Sequence, residues 1–231
     1  MTKEDLDAIL NKLLREVTII NTNWTMWNGL REEMQNGAKY EILLDFSPCF
    51  WTITLNNLLS RALLGTAKLY DENKKCMGLQ KIINICEQNQ GLFPKSRTTT
   101  YTDGYTGKKI SFTMPKDIGD DIRIAKQKYQ EIYDCRTQLI TLRDKYLAHA
   151  DKDIFLDIEA FYHEVALKKE ALEKLIETAE SILNSFLADL SDTRVYTEFE
   201  NSDDYKNLLR YAKEGKEASL QRIRLKVKNK H

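Results

Sequence analysis

Arg143, Asp144 and His149 fall within one short stretch, Leu142-Arg-Asp-Lys-Tyr-Leu-Ala-His-Ala-Asp151, and His149 is one of only three histidines in the chain. A guanidinium offers a planar fork of donors to phosphate oxygens. An imidazole takes or gives a proton near neutral pH. Together they suit chemistry on a phosphodiester, with Arg143 neutralising charge that builds on phosphorus oxygens and His149 acting as general base or acid. Asp144 is placed to orient one or the other. The bare spacing is a loose pattern, because Arg224 and His231 also satisfy it in the C-terminal tail. What distinguishes the first match is an apolar helix leading in and the helix-ending Ala150-Asp-Lys-Asp153 leading out.

Geometry sets a condition on this pair. Six residues along a regular helix turn through about 600°, which leaves Arg143 and His149 about 120° apart around the axis. Either the helix ends near Leu147 and His149 swings back, or two copies of the motif face each other across a two-fold axis.

The element that must carry Arg143 is a helix from Ile118 to about Ala148, with Ile122, Ala125, Tyr129, Ile132, Leu139, Tyr146 and Leu147 on its inner face. Arg136 lies on or beside that stripe, one heptad before Arg143. Buried arginines need partners, so these two either make internal salt bridges or line a cleft or dimer seam. Lys145 and Lys152 flank the motif as further candidate RNA contacts.

The motif resembles the signature of HEPN proteins, in particular their abortive-infection branch: an arginine, a polar residue, a short spacer, then histidine. That resemblance implies an all-helical fold and a homodimeric, metal-independent ribonuclease that works without a cofactor, in phage defence or as a toxin. A toxin role would add a neutralising antitoxin protein as partner. One HEPN subgroup carries a modifiable tyrosine two residues after the histidine; here that position is Asp151.

The rest of the chain reads as scaffold. Residues 3–36 form a helix started by Thr2 and Asp5, with Asn21-Thr-Asn23 as a candidate break. Trp24 and Trp27 there are either core or base-stacking platforms. Residues 40–70 are apolar nearly all round, which predicts a buried central helix restarted or kinked at Pro48, with a polar strip through Thr54, Asn57, Arg61 and Lys68. A shorter helix covers about Cys76 to Gln90. Residues 91–117 read as a β-hairpin insert, whose Arg97, Lys108 and Lys109 are RNA contacts or ordinary loop charges. A last long helix is expected over about 157–190, then a linker from Ser191 to Asp204 and a helix from Tyr205 to about Lys216. The tail Arg222-Ile-Arg-Leu-Lys-Val-Lys-Asn-Lys230 reads as a strand edge or a disordered basic arm, with Arg222 and Arg224 candidate phosphate contacts.

Lysine plus arginine balances aspartate plus glutamate at 35 each, so no global field draws in nucleic acid or an anionic membrane. No apolar run approaches a membrane span, and the N-terminus does not read as a secretory signal, which points to the cytoplasm. Cys49, Cys76, Cys86 and Cys135 lack metal-ligand spacing and are expected as reduced, buried thiols; no metal site is expected.

These readings combine into an all-α, mostly antiparallel bundle of about five main helices with a small β-hairpin insert. Residues 1–200 form the helical domain, with the insert at 91–117, and 201–231 a C-terminal helix and basic tail. The function expected is metal-independent endoribonuclease action on RNA, not DNA, through 2′-hydroxyl attack. The competing reading is a non-catalytic helical module that binds a protein or RNA partner.

Overall fold

A computed structural model of the chain describes residues 1–35, 47–102, 108–144, 167–197 and 203–228. Seven α-helices occur among them: α1 (Lys3–Gln35), α2 (Pro48–Leu69), α3 (Leu79–Gln88), α4 (Ile118–Glu131), α5 (Tyr133–Leu142), α6 (Lys169–Ser191) and α7 (Asp204–Lys228). Two strands, β1 (Ser96–Thr102) and β2 (Lys109–Pro115), pair antiparallel, with Ser96 opposite Pro115 and Thr102 opposite Lys109. No helix among the described residues is long and apolar enough to cross a membrane.

The chain divides into two compact units: Met1–Val17 with Leu63–Thr197, and Thr18–Ala62 with Glu198–His231. In the first, α4 contacts both α3 and α6, and α5 contacts α6. The burial explains the contacts. Ile122, Ala125, Tyr129, Ile132, Leu139 and Leu142 recur at helical spacing and are all buried, as is the α6 stripe from Leu172 through Leu190. The second unit is centred on Leu30, Trp51 and Leu209, with Met34, Leu55, Leu58, Tyr205 and Ala212 packed against them.

Local chemistry explains the element ends. At the head of α1, the Thr2 amide donates to Asp5 (2.9 Å) and the Asp5 amide to Thr2 Oγ1 (3.1 Å), a reciprocal cap. Pro48 opens α2, where its missing N–H costs nothing. Asp117 caps α4 by accepting from the Gly119 amide at 2.8 Å. After α6, Asp192 turns left-handed (φ 55°) and its amide returns to the Ala188 carbonyl.

Several expectations are corrected. Helix α1 does not break at 21–23: the Thr22 hydroxyl and the Asn23 amide donate back to the Thr18 and Ile19 carbonyls at 2.8 and 2.7 Å, so their polar groups are satisfied within the helix. The helix over 118–148 is instead divided at Ile132, whose φ of −103° and ψ of 16° separate α4 from α5. The buried positions keep their three- and four-residue spacing across the break, so the inner face continues unaltered. Helix α2 is not buried all round. Phe50, Ile53 and Leu64 are exposed on it, as are Asn57, Arg61 and Lys68 of the polar strip. The basic tail is neither strand nor arm as far as Lys228, because its Lys, Arg and Leu residues are good helix formers and extend α7. These divisions raise the count above the expected five. Of the four free cysteines only Cys86 is buried; Cys49 lies in the exposed first turn of α2, and Cys76 and Cys135 are half-buried. Trp24 is buried and stacks on half-buried Trp27 at 5.1 Å, with Arg31 over the Trp27 ring.

Two buried polar arrangements in the first unit make testable stability statements. The Tyr70 hydroxyl, following α2, donates to the Leu175 carbonyl of α6 at 2.6 Å, and burial pushes its pKa well above the usual range. Tyr70→Phe is expected to cost about 1 kcal/mol in denaturant unfolding. The second arrangement joins four elements. Asp189 of α6 pairs with Lys116 just after β2, beside Asp121 of α4, which accepts from Ser185, and near Cys86 of α3. Asp189 Oδ2 is buried and has no hydrogen-bond partner among the described residues. Burial raises the Asp189 carboxyl from 3.8 to about 6, and Lys116 opposes that rise. A raised folded-state value means the folded chain binds the proton more tightly. The contribution is therefore full below 3.8 and lost as pH rises through about 6. Thermal melts across that window should show falling stability, and Asp189→Asn should flatten the dependence.

Candidate phosphodiester site

The loop between α2 and α3 and the exposed side of α5 enclose a cleft of about 250 Å³ within the first unit. Tyr70, Asp71 and Glu72 form one wall. The other is Tyr133, Arg136, Thr137, Ile140, Thr141 and Arg143. Helix α5 delivers these residues because Leu139 and Leu142 commit it to the core, with Arg136 and Arg143 at the edge of that buried stripe and Thr137, Ile140 and Thr141 on the side away from it. Arg143 and Asp144 continue α5 in a wider, π-type turn.

The loop is built to hold Asp71. One Asp71 oxygen accepts from the Asn73 amide at 2.8 Å, and Asn73 Oδ1 in turn accepts from the Lys75 amide at 3.0 Å. Gly78 closes the loop against the Asp71 carbonyl, leaving no room for a Cβ. The other Asp71 oxygen accepts from Arg143 Nη1 at 2.8 Å, while Arg143 Nε donates to Asp144 at 2.7 Å. The guanidinium is thus fixed from two sides, and its remaining Nη donors meet no acceptor among the described residues. The Asn73 amide, and then Arg143, hold the Asp71 carboxyl below the ordinary carboxylate range. The hydrogen bond to Asp144, with Asp71 behind it, raises Arg143 further.

Arg136 is held differently. Its guanidinium carbon lies 4.2 Å from the centre of the Tyr129 ring and 5.4 Å from that of Tyr133, and Tyr129 stacks on Tyr70. Arg136 Nη1 donates to Glu72 Oε1 at 2.5 Å, and the Tyr129 hydroxyl donates to that same oxygen at 3.1 Å. Burial pushes the Tyr129 phenol up to about 12, so it remains a donor at neutral pH.

The structure therefore brings Arg136 and Arg143 to one cleft, with Asp144 bound to Arg143 beside it. Arg222 and Arg224 are exposed on α7, in the other unit. Lys145, His149 and Lys152 lie outside the described residues, and so does the 120° divergence expected between Arg143 and His149. Both alternatives for the arginines hold in part, since each makes a salt bridge and each lines the cleft. Asp71, Glu72 and the Tyr129 hydroxyl escape the sequence reading. A faint signal existed: Asp71 and Glu72, one residue past the C-terminus of α2, oppose the helix dipole, a local conflict that implies a cationic partner elsewhere. Among the described residues no group of three or more His, Cys, Asp or Glu is placed to hold a metal ion.

The family model HEPN_AbiU2, described as AbiU2, matches residues 3–208. The protein belongs to this HEPN-like abortive-infection family. No curated protein and no solved structure matches the chain.

Proposed function

We infer that the protein is a homodimeric, metal-independent endoribonuclease acting in abortive infection or as the toxin of a toxin–antitoxin pair. The observation that carries this reading is the setting of Arg143: a guanidinium gripped by Asp71 and Asp144 at a cleft, with donors to spare, in a chain of the AbiU2 family. In the reaction the RNA 2′-oxygen attacks phosphorus and loses its proton to His149. The P–O5′ bond breaks, and the leaving oxygen takes a proton from an imidazolium, the second copy's His149 in a two-fold arrangement. Arg143 neutralises the charge that builds on the phosphorane oxygens. Asp144 and Asp71 keep its fork aimed. Lys145, Lys152, Arg222 and Arg224 would add phosphate contacts, an antitoxin would be the neutralising partner, and the setting would be cytoplasmic.

One observation favours a second reading, a non-catalytic module that binds a protein or RNA partner. Around the two arginines stand three carboxylates, Asp71, Glu72 and Asp144, enough to account for them as structural ion pairs. Incubating the protein in chelator with labelled RNA and with DNA of the same sequence separates the two readings. The ribonuclease cuts RNA alone; intact RNA at stoichiometric protein would favour the module.

A further inference from the structure

The pairing of Glu72 is unequal in a way that suggests what the position is for. Two donors, Arg136 Nη1 and the Tyr129 hydroxyl, converge on one point, and Glu72 Oε1 occupies it. The donors are rigid and buried: the Arg136 side chain is 10% exposed and stacked on the Tyr129 ring. The acceptor is loose. The Glu72 side chain is 59% exposed and makes both hydrogen bonds through a single oxygen. Asp71, its neighbour, is the opposite case, 23% exposed with its second oxygen tied to the Asn73 amide. A fixed pair of donors that outlasts its acceptor is a preformed anion position. It sits about 10.5 Å along the helix from Arg143, in the same cleft.

We propose that Arg136 and Tyr129 form a second phosphate subsite for the RNA backbone, occupied at rest by the Glu72 carboxylate, which swings out when a phosphodiester enters. The subsite deepens the ribonuclease reading and rests on RNA being the ligand of this cleft. Its geometry makes Glu72 a competitor of substrate and Asp71 a positioning residue for Arg143. Tyr133, 51% exposed at the rim, keeps Arg136 stacked while the carboxylate is away.

The test is binding of a 2′-O-methyl single-stranded oligonucleotide, which cannot be cleaved, followed by fluorescence anisotropy at low salt. Glu72→Ala is expected to tighten binding about fivefold, the effect of removing one exposed like charge, and the gain should shrink as salt rises. Glu72→Gln keeps a neutral acceptor beside the buried guanidinium, so it serves where the alanine variant loses stability, and it should also bind more tightly. Adding Tyr129→Phe or Arg136→Lys to either variant should cancel the gain. With cleavable RNA, the Glu72 variants should lower KM and leave kcat unchanged, which a merely structural ion pair would not do. Glu72 variants that are folded by melting temperature and bind no more tightly than the parent would overturn the subsite. Binding is read on an oligonucleotide that is not cut, so absence of cleavage by the parent would count against the ribonuclease reading alone.

Discussion

His149→Ala is expected to leave the fold intact and reduce RNA cleavage by about two to four orders of magnitude, the range over which a positioned general acid or base contributes. The effect should fall on kcat, because the imidazole moves a proton rather than holding substrate. In a two-fold site the same substitution removes both the base of one copy and the acid of the other. Mixing His149→Ala protein with Arg143→Ala protein should then restore part of the activity in heterodimers. No restoration, in a mixture shown by native mass spectrometry to contain heterodimers, would mean that each Arg143–His149 pair lies within one chain or that each cut needs both histidines. Unchanged cleavage by His149→Ala alone would remove the histidine from the mechanism.

Arg143→Lys is the second large effect. An ammonium can keep one ion pair with Asp71 and hold the charge of the site, so melting temperature should change little. It cannot donate to Asp71, to Asp144 and to a phosphate in one plane. Loss of a preorganised donor to a developing oxyanion costs about two to three orders of magnitude in kcat. A lysine variant as active as the parent, with unchanged stability, would leave Arg143 a structural ion pair and strengthen the module reading.

Arg143 could be singled out in the sequence because the motif that carries it is local, and the structure places it at the cleft. The scaffold that carries Arg143 was readable for a different reason. The apolar repeat through Ile122, Ala125, Tyr129, Ile132 and Leu139 needs only the helical period, and all five are buried. The break at Ile132 was hidden because no glycine or proline marks it and the repeat passes through it in phase. The tail through Arg224 misled for the opposite reason. Alternation of basic and apolar residues imitates a strand, while its individual helix propensities carry α7 to Lys228.

What no local pattern could supply is the far wall of the cleft. Asp71 meets Arg143 across 72 positions and Glu72 meets Arg136 across 64, contacts that exist only once the loop after α2 lies against α5. The sequence required that the arginines have partners. It did not say that one would be pinned by a backbone amide and the other left loose, and that difference separates a positioning residue from a displaceable one.

The most direct test of the central claim is the chemical identity of the ends left on cleaved RNA. RNA cut by the protein in excess chelator, analysed by mass spectrometry, should carry a 2′,3′-cyclic phosphate on each new 3′ end and a hydroxyl on each new 5′ end, since the attacking oxygen belongs to the ribose itself. New 3′-hydroxyl ends paired with 5′-phosphates would mean that water or another external nucleophile attacked phosphorus, and would contradict the account.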